Sequence, residues 1–161
     1  MDLAERLRPL LLRHQIQLVT GWRSRCRISI ASFETRRDGS RQLSINPDLE
    51  GAQAYEAALY FIGLVRIGDA RRRVRLNERE CQAGAWIEAS RLAIPENAWA
   101  LGQRLRWNDA DLLEHYDVTW RLFEARKIAW RRSLGIAFTA GAREFDRSIR
   151  MRGSSFWCEI V

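Results

Sequence analysis

Lysine and histidine are almost missing from this sequence. Lys127 is the only lysine among its 27 basic residues, and His14 and His115 are its only histidines. Two imidazoles so far apart exclude the common zinc pattern in which two histidines, four apart, share one helix face. Proline (three) and glycine (ten) are scarce in the 161 residues and no segment is repeated or of low complexity, so residues 1–161 are expected to form a single domain. Every apolar run is broken by charge before the roughly 18 residues that a membrane span needs. Cys26, Cys81 and Cys158 are odd in number and far apart. That excludes a secreted disulfide framework and makes them buried small hydrophobes in a reducing compartment. The opening Met1-Asp2-Leu3-Ala4-Glu5-Arg6 has no basic end followed by an apolar stretch. The expectation is a cytoplasmic protein without a membrane partner. No G-x-S-x-G, Walker loop, G-x-G-x-x-G or spaced Cys–His arrangement occurs, so no nucleophile can be named.

What is present is charge of one sign. The formal net charge is +7, and a basic surface attracts nucleic acid, anionic lipid or an acidic protein face. Arginine's fork suits phosphate, although a GC-rich genome also encodes arginine by default. Candidate contact residues for a partner or nucleic acid are Arg71, Arg72, Arg73 and Arg75 in one loop, and Arg126, Lys127, Arg131 and Arg132 at a helix end, with Arg36 and Arg37 at a hairpin tip. A loop cluster of this kind also serves simply as a solvated connection.

Leu3, Leu7, Leu10 and Leu11 recur at helical spacing, with Asp2 as a cap and Pro9 as a kink, and predict an N-terminal helix over 2–15. Short segments follow. Leu18-Val19 comes first, then strands near 27–35 and 41–46 joined through Asp38-Gly39, a hairpin signal. The stretch 52–65 is apolar almost all round, which describes a buried helix. A second long helix is expected over 77–93, closed by Pro95, with shorter helices after it, two of them near 109–116 and 120–132 behind the N-caps Asn108 and Thr119. Segments 136–139 and 156–160 read as edge strands. The fold class is α+β, helix-rich, with a small antiparallel or mixed sheet packed against a helical bundle.

Glu56 is the only ionisable carboxylate or base between Gly51 and Val65, inside the most apolar helix. A carboxylate taken out of water needs a partner or a raised pKa. The alternative is that Glu56 lies in the first two turns, favourable against the helix dipole and still in reach of solvent.

The order of elements, with Ala54-Tyr55-Glu56-Ala57-Ala58-Leu59 followed by Gly63, resembles the ImmA/IrrE metallopeptidase-like family, whose buried helix carries Ala-His-Glu-x-Gly-His. Ala83, Trp86, Ala89, Ile94 and Pro95 are similar to the family's second helix and its Leu-Met/Ile-Pro ending. Val118-Thr119 looks like the family's Val-Ser or Val-Thr pair, which opens a helix with an arginine late in it. The resemblance covers about 1–130, leaving 131–161 as an extension, and implies a zincin-like fold. Both histidines are replaced, by Tyr55 and Leu59, and leucine cannot coordinate a metal. For a third ligand the resemblance offers only Glu80, and a carboxylate alone holds zinc poorly. Glu56, Tyr55 and Leu59 are therefore expected to be vestiges without a metal or other cofactor. Glu56 would be hydrogen-bonded to Tyr55, to Tyr60 or to an arginine from the adjacent helix.

What the resemblance implies is a catalytically inactive regulatory relative that binds a protein partner, a helix-turn-helix repressor of a phage or mobile element. From a different class comes a basic DNA-binding regulator, since 108–132 has the outline of a helix-turn-helix with Asp117 where the turn usually has glycine. An active hydrolase with an unfamiliar site ranks last.

Overall fold

The computed structural model describes residues 3–19, 31–49, 51–71, 78–133 and 159–160. The elements run α1 (Leu3–Arg13), β1 (Ile16–Val19), β2 (Ala31–Thr35), β3 (Arg41–Ile45), α2 (Gly51–Arg71), α3 (Glu78–Ala93), α4 (Glu96–Arg104), α5 (Asp109–Tyr116), α6 (Trp120–Ser133) and β4 (Glu159–Ile160). The chain is α+β and helix-rich. None of the described helices is long and apolar enough to cross a membrane.

The four strands form a mixed sheet in the order β1-β3-β2-β4, with β2 antiparallel to β3 and the two outer pairings parallel. The hairpin turns where Asp38-Gly39 was expected to turn it. Gly39 takes φ +83, a left-handed conformation cheap only for glycine. The Asp38 carboxylate accepts from the Ser40 hydroxyl (2.6 Å) and amide (2.9 Å), which hold its pKa below the usual range. In register, Leu18 and Phe33 both lie opposite Leu43, an apolar row across three strands. Phe33 stacks on Phe61 of α2 with ring centroids 5.8 Å apart. Strand residues 27–30 and segment 136–139 lie outside the described residues. Of 156–160, Glu159 and Ile160 form the edge strand β4.

Helix α2 is central because it is apolar all round. Ala57, Ala58, Leu59, Phe61 and Ile62 have no exposed surface. One side meets the sheet and the other crosses α3. The crossing is close: a methyl group on Gly63 would lie 2.3 Å from the Ala85 carbonyl oxygen. Helix α3 stops at Ala93, and Pro95 sits at the N-cap of α4, a helix not separately foreseen. Asn108 and Asp111 form a capping box that opens α5. Leu122, Phe123, Ala125, Ile128 and Ala129 bury much of α6 in the core, where it packs against α3. Cys81 is buried as expected, whereas Cys26 and Cys158 lie outside the described residues.

Candidate functional site

Glu56 stands in the second turn of α2, near the helix start, yet it is only 4% exposed. That burial overturns the solvent-reaching alternative. Its two oxygens are answered from one place, the start of α6. Thr119 donates its hydroxyl to Oε2, and Arg121 Nη1 donates to Oε1 at 2.9 Å. The same Thr119 oxygen accepts the Leu122 amide at 3.4 Å, so one hydroxyl both caps α6 and binds the glutamate. Arg121 is enclosed from its other side by the Trp86 ring, 5.3 Å away, and Trp86 in turn packs on Tyr60 at 4.5 Å. Burial pushes the Glu56 pKa up, and Thr119 and Arg121 pull against it, but desolvation prevails. Of the partners anticipated for Glu56, an arginine is the one found. It comes from α6, joined by a threonine, and not from a tyrosine.

The flanking positions are also engaged. Tyr55 is buried beneath Arg6, whose guanidinium lies 3.6 Å from the ring centroid. Arg6 reaches onward to the Asp117 carboxylate (2.9 Å) and the Tyr116 carbonyl (3.0 Å). Asp117 holds the α5–α6 turn with φ +47, tolerable for an Asx residue, which explains why glycine is not needed there. Leu59 is wholly enclosed by the core. Glu80, the only third ligand on offer, is exposed on α3. Among the described residues no three His, Cys, Asp or Glu side chains gather as a metal site.

Arg126 requires a correction. It was expected at a partner-facing surface but is 1% exposed, its Nε donating to the Ile94 carbonyl at 2.8 Å and its guanidinium 5.5 Å from the Trp99 ring. The reason is its place on α6, between Ala125 and the buried Ile128 and Ala129, on the face turned to the end of α3. Burial pulls its pKa down, opposed by the charge of Glu96. Its Nη2 has no hydrogen-bond partner among the described residues. Arg126→Ala should cost about 2 kcal/mol through lost packing and an orphaned carbonyl, while Arg131→Ala, on an exposed residue, should change stability by under about 0.5 kcal/mol. Urea denaturation of the two variants checks this.

Of the other basic candidates, Lys127 is paired with Asp109 (2.9 Å) and Glu124 (3.4 Å). Arg71 closes α2 and Arg132 lies in the last turn of α6, while Arg72, Arg73 and Arg75 fall outside the described residues. Arg36 and Arg37 are exposed at the hairpin tip. The structure thus unites Glu56, Tyr55, Thr119 and Arg121, and adds Arg6 and Asp117. Sequence reasoning missed Arg6, because nothing in a regularly spaced surface arginine tells that it will fold over a tyrosine 49 positions later. Comparison of the chain with protein-family models, with curated proteins and with solved structures gave no match.

Proposed function

We propose that this chain is a zincin-like, metallopeptidase-related regulatory protein without hydrolytic activity, which acts by binding a protein partner, with a helix-turn-helix repressor as the partner that the ImmA/IrrE resemblance suggests. One observation carries the reading: the glutamate at the family's catalytic position is neutralised within the fold by Thr119 and Arg121. In an active relative that carboxylate takes a proton from metal-bound water. Here a permanent guanidinium answers it instead. The residues at the ligand positions do not fit zinc, since Leu59 offers only hydrocarbon and Tyr55 is covered by a second guanidinium. Two further contacts support the resemblance. Val118-Thr119 opens α6 and ties it to Glu56, and Arg126, in the middle of that helix, binds the Ile94 carbonyl just before Pro95. Val118-Thr119 and Ile94-Pro95 are positions at which the sequence resembles the family.

The alternative, a basic DNA-binding regulator using 108–132, has the tight α5–α6 turn in its favour. A recognition helix, however, reads bases with its first residues. In α6 Arg121 is bound to Glu56, and Leu122, Phe123, Ala125 and Arg126 are buried. Elemental analysis of protein purified without chelator should find far less than one equivalent of zinc, and one tightly held equivalent would overturn the proposal. A salt series with random duplex DNA separates the alternative, because phosphate contacts lose affinity steeply as salt rises.

A further inference from the structure

On a chain of net charge +7, residues 107–120 contain four carboxylates, Asp109, Asp111, Glu114 and Asp117, and no lysine or arginine. Two of the four are neutralised from elsewhere in the fold, Asp109 by Lys127 and Asp117 by Arg6, each at 2.9 Å. Asp111 and Glu114 are exposed, and neither pairs with a cation among the described residues, although Arg104 and Arg106 come just before them. Both line an open pocket of about 590 Å³ whose other walls are Trp107 and His115. The two rings brace each other with centroids 4.5 Å apart, and His115 also meets Tyr116 at 4.9 Å.

An indole beside two carboxylates is a receptor for a cation. The ring face supplies quadrupole attraction, and the carboxylates supply charge-assisted hydrogen bonds that a guanidinium fork can take. The rim is apolar. Leu101 is 49% and Leu105 53% exposed, two of the three large exposed hydrophobics among the described residues. They lie four apart, Leu101 on α4 and Leu105 at its C-cap, with Gly102 between them in sequence, where a methyl group would come within 3.5 Å of the Trp107 ring. An i, i+4 apolar pair beside a cation pocket matches the face of an amphipathic helix that presents leucines and an arginine.

The geometry points to the α4–α5 corner as a docking surface for a basic, amphipathic helical segment of a protein partner. An arginine of that segment enters the Trp107–Asp111–Glu114–His115 pocket, and its aliphatic side chains cover Leu101 and Leu105. The surface uses none of the groups around Glu56, so the outcome of its test leaves the reading of Glu56 untouched.

The probe is a short fluorescein-labelled amphipathic peptide of Leu, Ala and Arg, set against a counterpart with every Arg replaced by Glu. Fluorescence anisotropy should show saturable binding of the arginine peptide, weakened at least about tenfold by Glu114→Arg or by Leu105→Lys, and no comparable binding of the glutamate peptide. Both replaced side chains are exposed, so the circular dichroism spectrum and melting temperature of the variants should match those of the parent. The inference is overturned if binding does not saturate, if both variants bind as the parent does, or if the glutamate peptide binds equally well.

Discussion

Glu56→Lys should unfold the protein or lower its stability by about 3–5 kcal/mol, the range for leaving a buried charge without its partner. The substitution would set an ammonium against the Arg121 guanidinium, which is itself enclosed by Trp86 and cannot move out to water without uncovering that ring. It would also remove the acceptor of the Thr119 hydroxyl, the group that caps α6. Glu56→Gln should be far milder, because its amide oxygen can still accept from Thr119 or Arg121 without the cost of a buried charge. The two can be ranked by thermal and urea denaturation; a lysine variant that melts with the parent would place Glu56 in water. The comparison with Gln also has a pH signature. Desolvation raises the folded-state pKa of Glu56 above its unfolded value. In that window the folded protein therefore binds more protons than the unfolded one, and stability falls as pH rises. The parent's stability relative to Glu56→Gln should accordingly be highest at acid pH. It should decline as pH climbs from the ordinary glutamate range through the raised value, and level off above it. Urea midpoints of both proteins from about pH 4 to about pH 8 measure this, and a rise of the parent over Gln with pH would reverse the assignment.

Gly63→Val should cost about 3 kcal/mol, with Gly63→Ala intermediate. The clash is with backbone: the added carbon would stand 2.3 Å from the Ala85 carbonyl oxygen and 3.2 Å from its Cα. A side chain could rotate away, but a helix backbone can yield only by moving the whole of α3, and α3 carries Trp86 against Arg121 and leads directly into Ile94, whose carbonyl accepts from Arg126. The effect should therefore appear at a distance, as altered tryptophan fluorescence and faster amide exchange at the start of α6. Gly68→Ala is the control, since nothing lies within 4 Å of a methyl group there. It should be neutral or slightly stabilising through reduced unfolded-chain entropy. Equal melting temperatures for Gly63→Val and Gly68→Ala would rule out the close crossing.

What the sequence alone determined about this protein is local. The Asp38-Gly39 hairpin, the all-round apolar α2 and the N-caps Asn108 and Thr119 follow from periodicity and turn chemistry, which act over a few residues. The suspicion that Glu56 is special was equally local, because the one charge among the mostly apolar positions 51–65 must find a partner somewhere. Only the tertiary structure decided who that partner is. Arg121 and Thr119 lie more than sixty positions away, and in sequence Arg121 is indistinguishable from any other arginine on a helix. The same holds for Arg126. Its neighbours suggest a basic helix end open to a partner, but the packing of α6 on α3 turns it inward to Ile94. Hydrophobic periodicity fixes which face of a helix is buried only when apolar residues alone mark it. When an arginine is buried, the acceptor that makes its burial affordable comes from another element, and its position is known only once the elements have packed.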